Sequence, residues 1–217
     1  DIGDDGLVSA GNSTSGQNTT FSGGSKTLTA NGGGHGGFSD NTNNGESGGS
    51  GGGQWYGGYS GEPGTQPANT SDGVNTYNST GYGNNSGASN SSSPYGGGGG
   101  GAGGPGMNAS SAASGNSTTD SQGNELTGST SNALGGVGLY IGGTFGTSYG
   151  ESGFVASGGT GAGHQTTSDK AHLGGGGIGD NSSTSTPSHA NANGQANTGG
   201  GGGSGGHGGS GVILIKY

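Results

Sequence analysis

The sequence predicts a mostly irregular fold: a bundle of polyglycine-II helices joined by long polar loops, with a few short β-strands, one of them at the C-terminus. Three observations predict it. Gly supplies 65 of the 217 residues, against 21% hydrophobic and 7% charged. The glycines are gathered into short runs separated by segments rich in Ser, Asn and Thr. The last run, in residues 199–217 (GGGGGSGGHGGSGVILIKY), leads directly into the most apolar four residues of the chain, Val212, Ile213, Leu214 and Ile215.

Composition rules out a conventional core. An ordinary domain is about half apolar and about a quarter charged. Ordering each residue costs about 1–2 kcal/mol of backbone entropy, and glycine costs more than average. Burial of so few apolar side chains does not offset that, and composition alone resembles that of a disordered chain. Backbone hydrogen bonding is the alternative source of order. A polyproline-II helix has three residues per turn and no internal hydrogen bonds, so its N–H and C=O groups point outward. Glycine lets such helices pack side by side and pair those groups, with Cα–H···O contacts adding a small term. Collagen is excluded because its Gly-X-Y period is absent and there are only 5 Pro.

Along the chain, residues 1–6 (DIGDDG) place Asp1, Asp4 and Asp5 beside glycines. The EF-hand loop needs Glu at its twelfth position, where Asn12 stands, so a solvated acidic terminus is expected rather than a Ca²⁺ site. Residues 21–30 alternate at their end and are expected to include a short strand. Glycine tracts follow at 32–37 and 48–53, with a loop at 38–47. Residues 61–94 form the longest polar stretch, dense in turn-forming Asn-Ser and Gly-Asn pairs. The longest pure run is 96–101, extended through Pro105, whose fixed φ suits this helix. After a polar loop at 107–131, residues 132–150 are the least polar interior segment and are expected to pack on the flanks or end of the lattice. Further tracts lie at 158–163, 174–179 and 199–211. Counting the long run at 199–211 twice, roughly seven tract lengths of about 19 Å each result at a rise of ~3.1 Å per residue. The whole of 1–217 reads as one domain, expected to be a portion of a longer chain.

The formal charge is −9, and Lys26, Lys170 and Lys216 are the only strong cations. That balance argues against nucleic acid and against anionic membrane surfaces as partners. No apolar run approaches the ~20 residues of a membrane-spanning helix. There is no Cys. His35, His164, His172, His189 and His207 fit no zinc spacing. GGGGIGDN at 174–181 puts Asp180 one position out of register for a repeated calcium motif, and the glycine runs lack the GK[ST] of a phosphate loop. No GxSxG is present and nothing selects a Ser–His–Asp triad. No catalytic residue, metal or cofactor is therefore expected, and the chain reads as a non-enzyme. The Asn-x-Ser/Thr triplets are expected by chance in this composition.

The aromatics are the informative side chains. Trp55, Tyr56, Tyr59, Tyr77, Tyr82 and Tyr95 lie in or beside polar loops. Amphipathic rings in such loops are usual recognition equipment. The same rings could instead cap the lattice ends, and one ring can do both.

The ending GGSGVILIKY at 208–217, and Phe21 followed by TLTANGGG at 27–34, resemble the glycine-rich domains of bacteriophage tail fibres and tip adhesins. The resemblance spans essentially the whole chain, although the strand that usually precedes the first glycine tract is missing. Glycine-rich receptor tyrosine kinase ectodomains of the anaplastic lymphoma type carry Cys and are a poorer match. The resemblance implies a glycine sandwich whose loops bind a bacterial surface receptor, a glycan or outer-membrane protein. The six aromatics would be its contacts. It also implies association with other tail-fibre chains or with copies of itself, on a virion tail fibre or an extracellular surface. Two rivals stand beside it: a secreted structural or filament-forming protein without a receptor, and an antifreeze-type protein, whose tripeptide period this chain lacks.

Overall fold

The structure is a computed structural model. It describes residues 15–23, 26–37, 44–55, 57–66, 81–91, 95–109, 117–119, 125–127, 133–162, 172–179 and 193–217. Secondary structure within them is sparse. Strands β1 (Thr19–Gly23) and β2 (Lys26–Ala30) form an antiparallel hairpin, as do β3 (Ser117–Thr119) with β4 (Glu125–Thr127) and β5 (Leu139–Tyr140) with β6 (Phe154–Val155). One short helix, α1 (Gly142–Phe145), lies between β5 and β6.

The order elsewhere comes from backbone hydrogen bonds between glycine-rich segments. The N–H groups of Gly96, Gly99 and Ala102 donate to the carbonyls of Ala162, Gly159 and Ala156, so the two segments run antiparallel and are bonded at every third residue. Gly34 and Gly37 donate in the same step to Ser50 and Gly53, in parallel. Ser157 and Thr160 donate to Gly174 and Gly177, and Gly201 and Ser204 donate to Ser157 and Thr160. A β-ladder repeats every two residues. This network repeats every three, which is the number of residues per turn of the extended left-handed helix.

Segment 95–102 is the hub. Its peptide groups bond to Gly51, Gln54, Gly87, Met107, Gly136, Gly159 and Ala162. The missing side chains make this approach possible. A Cβ added to Gly97 or Gly100 would collide with the backbone at Gly87 or Asn84, and one on Gly98 or Gly101 with the carbonyls of Leu134 or Gly136. Residues three apart thus face the same neighbour. None of these glycines has a positive φ, so the backbone conformation itself does not demand glycine; the close packing does.

The pairing also fixes direction. Residues 37, 54, 90, 95, 133, 162, 179 and 204 gather at one end of the hub, here the first end, and residues 32, 49, 64, 84, 102, 138, 156, 174, 199 and 210 at the other, the second end. The hub, residues 95–102, runs from one end to the other. Segments read from sequence as polar loop join the network here. Residues 59–62 pair with 86–89, and 106–109 with 85–88. Residues 133–138, expected to pack outside, lie fully within it and are buried.

Side-chain burial is a minor partner. Among the described residues, Trp55, Ala133, Leu134, Val137, Phe154 and Ala162 are the buried apolar ones, while Gln54, Ser157, Thr160 and Ser204 are the largest fully buried side chains. The Tyr140 and Phe154 rings meet at 4.9 Å. Glu151 receives the N–H groups of Gly174 and Gly175 at 3.0 and 2.9 Å, tying the β5–α1–β6 region to the second end.

The expected C-terminal strand is not formed. Ser210 is the last residue whose carbonyl accepts a bond from the network, from Thr198 and Gly199, and residues 211–217 pair with nothing among the described residues. A strand needs a partner strand, and no described residue offers one to Val212, Ile213, Leu214 and Ile215.

Candidate functional site

At the first end the chain turns after Gln54 and Trp55. The Gln54 N–H donates to Gly97 O, which anchors the turn on the hub. Gly57 and Gly58 have φ of 139° and 79°, and a Cβ on Gly57 would stand 2.7 Å from the Tyr59 ring. Glycine here both makes the turn and admits the ring. Tyr59 is held by two bonds to one residue: its N–H donates to Ser89 Oγ at 2.8 Å, and the Ser89 N–H donates to its carbonyl at 2.9 Å. The next residue, Asn90, donates its N–H to Tyr95 O at 3.1 Å and accepts the Gly57 N–H at 3.3 Å. Tyr59 and Tyr95 are thus fixed by adjacent residues, Ser89 and Asn90, and both are half-buried.

The six sequence-predicted aromatics do not share one site. Trp55 is 6% exposed and packs inside rather than offering a surface. Tyr59 and Tyr95 share the first end. Tyr82, 46% exposed, lies at the second end, where a Cβ on its neighbour Gly83 would meet Gly49 and Gln66. Tyr56 and Tyr77 lie outside the described residues.

The second end carries the apolar surface, which the sequence reading missed. Phe21 and Leu28 face each other across the β1–β2 hairpin and are exposed. Among the described residues, Tyr149, Leu173, Ile213, Ile215 and Tyr217 complete the exposed large hydrophobic residues together with Tyr82, and every one belongs to a segment that meets the network at this end. Hydropathy marked 212–215 and the segment 132–150 that holds Tyr149 in advance, but not Phe21, Leu28 and Leu173, which are single residues among polar or glycine neighbours.

One polar cluster combines Ser, His and Glu. The His35 Nε2 lies 3.6 Å from Glu46 Oε1, Ser15 Oγ donates to Glu46 Oε2 at 3.1 Å, and the His35 backbone N–H donates to Ser15 Oγ at 3.2 Å. A hydrolytic relay runs from Ser to the imidazole and from imidazole to acid. Here the hydroxyl proton goes to the carboxylate instead, and the bonds clasp residues 15, 35 and 46 together. Among the described residues no three His, Cys, Asp or Glu converge on a metal position. Asp1, Asp4 and Asp5 lie outside them. No helix among the described residues is long and apolar enough to cross a membrane.

Comparison with protein-family models, with curated proteins and with solved structures finds no match to this chain.

Proposed function

We propose that this chain is a receptor-recognition domain of the tail-fibre adhesin kind, a polyglycine-II sandwich that binds a bacterial surface receptor, glycan or protein, through the segments at its first end. One observation carries the reading. Backbone bonds tie Tyr59 and Tyr95 to the network through Ser89 and Asn90. Rings with an apolar face and a polar tip, set among Asn and Ser, suit stacking on a sugar or on an exposed protein loop. A rigid frame lets the connecting segments vary without disturbing the frame. Trp55 serves beneath this surface as packing, and Tyr82 belongs to the apolar end.

The test is binding of the labelled protein to a panel of bacterial strains, beside a Tyr59→Ala/Tyr95→Ala variant. Strain-selective binding that falls at least about tenfold in the variant, equivalent to ~1.4 kcal/mol, is the expected result. A folded protein that binds no strain, or a variant that binds unchanged, overturns the reading.

A further inference from the structure

The chain contains three Asn-Gly pairs, at 31–32, 44–45 and 193–194. Such a pair supports a self-modification that needs only water. Glycine has no Cβ to shield its nitrogen, which can therefore attack the side-chain amide of the residue before it. Attack requires the Asn Cγ to reach the glycine nitrogen in a near-attack geometry. A side chain tied elsewhere is held out of that geometry.

The fold treats the three pairs differently. Asn31 Nδ2 donates to Thr65 O at 3.1 Å, the Asn31 N–H donates to Gln66 Oε1, and the Gly32 N–H donates to Asn18 Oδ1 at 2.9 Å. One residue clasps the third pair at two points: Asn193 Oδ1 accepts the His207 N–H at 3.1 Å, and the Gly194 N–H donates to His207 O at 2.7 Å. Asn44 is exposed, and its side chain bonds to no described residue. The Gly45 N–H makes the longest glycine bond of the three pairs, 3.2 Å, and its acceptor is a side chain, Gln54 Oε1.

We infer that Asn44 is a site of spontaneous deamidation, and that the fold protects Asn31 and Asn193. The Gly45 nitrogen bonds to Asn44 Cγ, the Cγ–Nδ2 bond breaks, and the side-chain nitrogen leaves as ammonia with the proton that Gly45 gives up. Water then opens the cyclic imide at one of its two carbonyls. Position 44 is left as aspartate or as β-linked isoaspartate, with one more negative charge in either case. The consequence falls on Gln54. Its side chain is fully buried, and its Nε2 has no partner among the described residues. While the imide is closed the Gly45 nitrogen carries no hydrogen, so Gln54 Oε1 loses its donor as well, and a buried amide without partners is unfavourable. The β-linked product adds a backbone carbon beside Gly45, where a Cβ would already stand 2.6 and 2.7 Å from the carbonyls of Gly53 and Gly52. The modification thus loosens the segment that leads into the turn at the first end. It rests on the backbone network and not on receptor binding.

The test is to hold the folded protein in mildly alkaline buffer and follow all three positions by mass spectrometry of fragments, beside the same protein in denaturant. In the folded protein, position 44 is expected to modify at least about tenfold faster than 31 or 193. In denaturant the three are expected to modify at similar rates. An Asn44→Gln variant, whose longer side chain closes a less favoured ring, is expected to keep its denaturation midpoint through the incubation while that of the parent falls. A folded-state rate at 44 no faster than at 31 or 193, or the same preference for 44 in denaturant, would overturn the inference. A parent midpoint that stays constant as position 44 converts would overturn the part assigned to Gln54.

Discussion

A single methyl group is the decisive quantity at the residue scale. Gly98 and Gly33 are chemically identical, yet their surroundings differ completely. A Cβ on Gly98 runs into the carbonyl of Leu134, whereas one on Gly33 meets nothing within 4 Å. Gly98→Ala must push two hydrogen-bonded segments apart and is expected to cost about 3 kcal/mol or more, at the upper end of overpacking effects. Gly33→Ala, at a residue without positive φ, is expected to be neutral or to stabilise by up to about 1 kcal/mol through the unfolded chain. Chemical denaturation of the two variants checks the contrast, and similar midpoints would refute the idea that backbone approach carries the fold.

Between elements the difficulty is register. An all-glycine segment that slides by three residues recovers the same backbone bonds, so the ladder alone does not choose one alignment. Buried polar side chains supply the choice. Thr160 Oγ1 accepts the Gly179 N–H at 2.7 Å, Ser157 Oγ accepts that of Gly176 at 2.7 Å and donates to His172 O, and Ser204 Oγ donates to Gly37 O. Thr160→Val keeps the shape and removes the acceptor. It is expected to cost about 1–3 kcal/mol, the price of an orphaned buried donor, and to speed hydrogen exchange at the Gly179 amide; an unchanged exchange rate would show that register is set elsewhere. This also explains what the sequence did and did not disclose. The run 96–101 was legible because, at every position but Gly99, an added Cβ would collide with neighbouring backbone. Residues 84–90 and 133–138 were not, because a segment held by backbone bonds tolerates a side chain wherever no neighbouring backbone approaches. Ser86 uses that freedom, offering Oγ to the Glu62 N–H. Strand propensity in 212–215 was equally visible, but propensity carries no information about whether a partner strand is present. Trp55 stands next to glycines without periodicity, so nothing in the string distinguished a packed ring from a displayed one.

At the scale of the whole molecule, the described residues present two unlike ends: Tyr59 and Tyr95 bonded to the network at one, exposed apolar side chains at the other. Between them the interior is made chiefly of peptide groups. The hub at 95–102 buries amides where most proteins bury hydrocarbon. Heat capacity is the sensitive reporter of that difference. Exposing apolar surface raises it on unfolding and exposing polar surface lowers it, with a usual net of about 12–15 cal/mol/K per residue. Scanning calorimetry is expected to find a value well below ~12 cal/mol/K per residue; a value in the usual range would mean that hydrocarbon burial dominates after all. A small heat capacity change flattens the dependence of stability on temperature. Hydrophobic cohesion fades as water cools, while this interior owes little to it. A protein built on such a hub should keep its grip in the cold, at temperatures where an oil-like core of the same size has begun to loosen.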